Sequence, residues 1–167
     1  MTNSTGFPPI AKPDAAILIL GSMPGQKSLD ENQYYAHPRN SFWSIMFQLF
    51  NADKDLSYEQ RKQFLYDHKI ALWDVLKSCY RKGSLDSDID YSTIEANDFN
   101  SFFIKYPGIK AVFFNGSKAE QIFNKEVLKN LTSSCLKYHK LPSTSPAHAA
   151  MSKEEKLLKW EIIKELT

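Results

Sequence analysis

The sequence has no apolar run of 18 residues, so it offers no segment long enough to cross a bilayer as a helix. It has two cysteines, Cys79 and Cys135, too few and too far apart to form a metal-ligand motif. A reduced, intracellular chain is the expectation that follows. No single sign of charge dominates. The formal net charge is +2, so any nucleic-acid site must be a local patch and not a global basic field. The first residues, MTNSTGFPPIAKPDA, lack the basic-then-apolar order of a secretion signal, which again suggests a cytoplasmic protein. Repeats, low-complexity tracts, linkers and the G-x-G-x-x-G dinucleotide spacing are all missing.

What is present suits a packed core. Hydrophobic residues are 43% and aromatics 13% of 167 residues, enough for a single domain spanning 1–167. Pro8, Pro9 and Pro13 predict an extended arm over 1–14. Ala15–Leu20 is a continuous apolar run that fits a strand buried on both faces, and Ile70–Leu76 (interrupted by Asp74), Ile109–Phe114 and Leu136–Leu141 are the further expected strands. Helices are expected from His37-Pro38 to Asn51, from Ser57 to His68, from Ser117 to about Leu131, and after Ser152. One or two short helices are expected within Thr93–Tyr106. Residues 26–36 and Lys77–Asp90 read as polar loops.

Strands that alternate with helices argue for an α/β fold with a parallel sheet covered on both faces. In such a sheet the loops after the first, second and fourth strands gather at one end. That would join Gly21–Asn40, Asp74–Asp90 and Ser143–His148 around one cleft.

Those three loops resemble the uracil-DNA glycosylase superfamily. GSMPG (21–25) with YYAHPRNSFW (34–43) is similar to its first motif, and LPSTSPAHA (141–149) to its second. LWDVLKSCYRKGSLDSDI (72–89) is similar to a segment of the hypoxanthine-DNA glycosylase branch, often called family 6. The resemblance covers nearly the whole chain in order. It implies a three-layer α/β/α sandwich around a four-stranded parallel sheet, usually monomeric, with no cofactor or metal and no obligate protein partner.

It also implies an activity. Such enzymes rotate a deaminated base out of DNA and hydrolyse its N-glycosidic bond in base-excision repair. Hypoxanthine is the expected base here. The alternatives are uracil or G·U and G·T mismatches, a DNA-binding module without catalysis, or a nucleotide-binding α/β protein. Related branches place a water-orienting Asp or Asn where this chain has Met23, and a thioether accepts hydrogen bonds too weakly for that task.

The resemblance therefore makes Asn40 the catalytic residue, although an asparagine there equally suits a helix N-cap. Tyr35 aligns with an aromatic that stacks on the flipped base. A loop anchor is its other reading, with Tyr34 then the stacker. Gly21, Ser22, Met23 and Asp86 are expected to border the base. Asp86 also fits a solvated turn.

Asp74 stands where a uracil reader has Asn. A carboxylate can only accept, so it suits the N1–H of hypoxanthine, and replacing it with Asn should shift preference toward uracil. Its other reading is an ion pair with Lys77, Arg81 or Lys82. Contacts to DNA are expected from Pro24, Lys27, Arg39, Lys77, Arg81, Ser143, Ser145 and His148. Ser143 occupies a position where relatives often carry a histidine that stabilises the departing base. His37 and His148 are candidate substitutes.

Overall fold

A computed structural model describes residues 2–133 and 135–167. Met1, the first residue of the expected arm, lies outside the described residues. Four strands form a parallel sheet: β2 (Ile17–Gly21), β3 (Ile70–Asp74), β6 (Ala111–Asn115) and β7 (Lys137–Leu141). Their spatial order is β3-β2-β6-β7. Ile17 pairs with Ile70 on one side and Ala111 on the other, so β2 is central, and every one of its residues is buried.

The period-2 alternation of strands divides the core in two. Ile17, Ile19, Leu72 and Phe113 face α2 (Phe42–Leu49), α3 (Tyr58–Asp67) and α6 (Lys153–Trp160). Leu18, Leu20, Trp73 and Phe114 face α4 (Phe99–Lys105) and α5 (Ser117–Glu126). The result is the expected α/β/α sandwich. The ends of α3 and α6 were readable because Ser57–Gln60 and Ser152–Glu155 both close reciprocal capping boxes. Among the described residues no helix is long and apolar enough to cross a membrane.

A second sheet departs from expectation. β4 (Leu76–Arg81) starts two residues after β3 and pairs antiparallel with both β1 (Thr2–Thr5) and β5 (Ile89–Ala96). Much of the predicted 77–90 loop and the start of the predicted 93–106 helices are therefore strand. Asp98 caps α4 by accepting from the Ser101 N–H at 3.1 Å, which sets the true helix start. The arm is also more than extended chain, since Ile10 bridges to Leu72 as well. The polar 26–36 stretch contains a short helix, α1 (Gln26–Glu31). Pro38–Asn40 is a turn, and α2 begins only at Phe42.

Candidate active site

The C-terminal ends of β2, β3 and β6 open onto a cleft of about 740 Å³. Gly21 ends β2 there. A side chain at this position would place its Cβ 2.5 Å from Asp74 Oδ1 and 3.0 Å from the Tyr35 hydroxyl, so only glycine lets both groups approach the strand. The Gly21 and Ser22 carbonyls accept the Val75 and Leu76 N–H groups, which fixes the GSMPG turn against the β3–β4 junction. Ser22 and Met23 line the cleft beside it, and Met23 is 7% exposed with its side chain partly in the core.

Tyr35 holds its backbone at φ 54°, outside the usual range for a side-chain-bearing residue. Its ring stacks on Phe42 at 4.2 Å between centroids, and its hydroxyl accepts from Asn115 Nδ2 at 3.1 Å. Burial, reinforced by the Asp74 charge, pushes its phenol far up, so it stays protonated. Tyr34 takes the anchoring role: it is 4% exposed and donates to the Pro8 carbonyl.

Asn40 lines the cleft half-buried. Its Oδ1 accepts the Phe42 N–H, the first of α2, at 3.0 Å, although the N-cap position itself is Ser41. That bond uses one lone pair and leaves the other, with both amide protons, available. Asn40 also borders a neighbouring groove of about 880 Å³ lined by Trp43, Phe47, Lys54, Arg61 and Lys153. It thus stands where the cleft meets a second opening.

Asp74, at the end of β3, is 4% exposed. Its carbonyl accepts from Asn97 Nδ2, which pins the backbone. Among the described residues it forms no ion pair with Lys77, Arg81 or Lys82, and its Oδ2 is buried without a hydrogen-bond partner. Burial, then the nearby Asp86 charge, raises its carboxyl to about 7, against the smaller opposing pull of Arg81. Asp86 accepts a short hydrogen bond from Ser22 Oγ. Burial raises its carboxyl too, while Ser22, Lys118 and Arg81 pull it down. It is a cleft residue and not a solvated turn.

Pro24, Lys27, Arg39, Ser143, Ser145 and His148 line the same cleft. Lys27 is ion-paired with Glu31 at 2.5 Å. His37 lines it as well, and its Nδ1 accepts the Arg39 N–H. Two predicted DNA contacts are corrected. Arg81 is 1% exposed and donates to the Pro24 carbonyl, so it braces the turn from inside and cannot reach a phosphate. Burial lowers its pKa. Lys77 pairs with Glu95 at 2.9 Å on the outer face of the small sheet, away from the cleft.

Two residues escaped sequence reading. Asn115 accepts the Thr144 N–H and donates to Thr144 Oγ1, both at 2.9 Å, as well as to Tyr35. Thr144, 1% exposed, accepts in turn from the Ser41 N–H. Together they lock the serine loop to the first motif. The neighbouring Gly116 has φ +99°, and a Cβ there would lie 3.0 Å from that of Ser143. The asparagine–glycine pair at a strand end is the signal that the sequence offers for this lock.

A parallel sheet with a polar cleft at its strand ends is the architecture of an α/β enzyme. The family model described as "Uracil DNA glycosylase superfamily" matches residues 8–167. The chain belongs to that superfamily. A hypoxanthine DNA glycosylase of Methanosarcina barkeri is 40% identical over 115 residues, covering 68% of this chain and 72% of its own. One from Methanosarcina acetivorans is 34% identical over 159 residues, covering 95% and 96%. The solution structure of a candidate uracil DNA glycosylase from Methanosarcina acetivorans superposes with a TM-score of 0.83 at 33% identity, covering 99% of both chains.

Proposed function

We propose that this chain is a monofunctional DNA glycosylase that releases deaminated bases, chiefly hypoxanthine, from DNA. The observation that carries the reading is Asn40. Where Met23 offers no water ligand, a half-buried amide fixed by its bond to the Phe42 N–H faces the cleft and borders the neighbouring groove. Its remaining donors and acceptor hold a water against the sugar. That water adds to C1′ as the C1′–N9 bond breaks, and the bond's electron pair leaves with the base. The products are the free base and an abasic site.

Tyr35, backed by Phe42, supplies the stacking surface for the flipped base. Gly21, Ser22, Met23, Asp74 and Asp86 border the base, and Lys27, Arg39, Ser143, Ser145, Pro24 and His148 meet the DNA strand around it. That two relatives are named hypoxanthine DNA glycosylase supports hypoxanthine rather than uracil as the base released here. The protein acts as a monomer inside the cell, without cofactor or partner.

The test is base release, without added metal, from matched oligonucleotides carrying hypoxanthine, uracil, xanthine or thymine. The parent should release hypoxanthine fastest. Asn40→Ala should lose a factor of about 100 or more while still folding and binding DNA. Near-normal turnover by that variant refutes the catalytic assignment.

A further inference from the structure

We infer that Asp74 works as a neutral carboxylic acid, donating its O–H to the carbonyl oxygen of the bound base and holding that oxygen as the base departs. The inference rests on the glycosylase reading and deepens it.

The geometry speaks first. Asp74 sits on the cleft floor at a strand end, with its backbone pinned by Asn97 and Oδ1 packed against Gly21. Oδ2 is buried and meets no donor. A buried carboxylate ordinarily gathers several donors, and one that gathers none is held more cheaply as the acid.

The groups around it do not reverse this. Asp86, from the loop after β4, adds a like charge. Tyr34 and Tyr35, from the loop before α2, are neutral phenols whose protons the Asp74 charge helps to retain. Arg81 of β4 is the cation that opposes the shift, but it donates to the Pro24 carbonyl and forms no ion pair with Asp74. Burial and Asp86 together raise the carboxyl to about 7.

The chemistry then needs that proton. The leaving purine carries negative charge spread over its ring and O6. Two ionised carboxyls in the cleft, Asp74 and Asp86, would repel it. A neutral carboxyl presents O–H and C=O side by side, the same donor and acceptor pair as an amide. That pair matches the C6=O and N1–H of hypoxanthine. The bond to O6 strengthens as charge develops there, so it favours the transition state over the bound substrate. A carboxylic acid kept neutral to donate a hydrogen bond is an established device. The balance closes simply. Water's oxygen bonds to C1′ as the C1′–N9 electron pair leaves with the base; the water sheds one proton to solvent, and the purine anion gains one, either from solvent or from Asp74, which solvent then reprotonates.

The decisive experiment is single-turnover hypoxanthine release from one duplex between about pH 5.5 and about pH 8.5, by the parent and by Asp74→Asn. The parent's rate constant should fall as pH rises through about 7, approaching roughly tenfold per unit, because the donor is lost on ionisation. Asp74→Asn carries an amide donor that does not titrate, so its profile should be flat over the same range, at its own rate. Ionisation of the substrate is common to both proteins and cancels. A parent profile that is flat or rising, or an equal fall in the variant, overturns the assignment. If circular dichroism shows the variant unfolded, the ¹³C carboxyl shift of Asp74 in the full-length parent decides. Ionisation below about pH 5 refutes the inference, and ionisation near the midpoint of the rate profile supports it. Absence of hypoxanthine release by the parent at every pH refutes the glycosylase reading itself, an outcome distinct from release that ignores pH.

Discussion

Along one side of the cleft, Asn115 spends its amide on Thr144 and Tyr35, and Thr144 accepts from Ser41. Along the other, Arg81 Nε and Nη1 and Asp74 Oδ2 are buried and find no hydrogen-bond partner among the described residues. The first side is a frame: its polar groups are satisfied by one another and do not depend on pH. The second side is an electrostatic reserve. It keeps one cation and two carboxyls out of water without neutralising them by contact, which costs stability and makes protonation depend on what enters the cleft. A site that must hold one shape while answering a developing charge gains from keeping the two tasks on separate walls.

The difference can be tested by removing one residue from each wall. Arg81→Met should have the largest effect, and a pH-dependent one. At about pH 8.5, where Asp74 and Asp86 lose their nearby cation, it should cost about 3 kcal/mol in urea unfolding. At about pH 5 the cost should shrink to the pH-independent part that comes from losing the bond to the Pro24 carbonyl, since the carboxyl of Asp74 is then neutral. The parent itself should lose stability as pH rises from about 4 to about 7 on account of Asp74. The unfolded chain releases that proton near 4, while the fold keeps it until about 7.

Asn115→Ala should cost roughly 2 kcal/mol, because the buried Thr144 N–H loses its acceptor. That cost should be the same at both pH values. A strong pH dependence here, or none for Arg81→Met, would break the distinction between the walls. The smallest effect is expected outside both. Lys77→Ala removes an exposed ion pair with Glu95 and should change stability by about 0.5 kcal/mol or less, with no loss of DNA binding.

Three strands of the parallel sheet were legible as apolar runs closed by a breaker or polar residue, while the fourth, KYHKL, buries only Leu141 and was marked chiefly by the proline after it. Gly21, Asp74 and Asn115 end the three, and Pro142 follows the fourth. The antiparallel sheet was not legible. Its central strand, LKSCYR, buries Leu76, Cys79 and Arg81 and exposes Lys77 and Tyr80, so a charged residue sits on the inner face and the run reads as loop. Its partner TNST carries no hydrophobic signal and pairs with residues 78–81, far along the chain.

The candidate site divides in the same way. Gly21, Tyr35, Asn40, Asp74 and Ser143 lie in segments whose order and spacing carry the family resemblance. Asn115 and Thr144 meet across 29 positions and Arg81 reaches Pro24 across 57, and no local pattern announces such pairs. The burial of Arg81 in particular runs against the ordinary expectation that arginine is exposed.

The chain's three tryptophans have a consequence beyond packing. Trp43 donates its indole N–H to the Tyr34 carbonyl, Trp73 to that of Phe7, and Trp160 to that of Pro142. Each indole thus grips a different segment beside the cleft: the approach to Tyr35, the arm after β1, and the entry to the serine loop. Indole emission shifts in colour and yield when such a bond or its surroundings change. The molecule therefore carries three intrinsic reporters on these segments, and any shift of them when a nucleotide is seated should change its ultraviolet fluorescence without any added label.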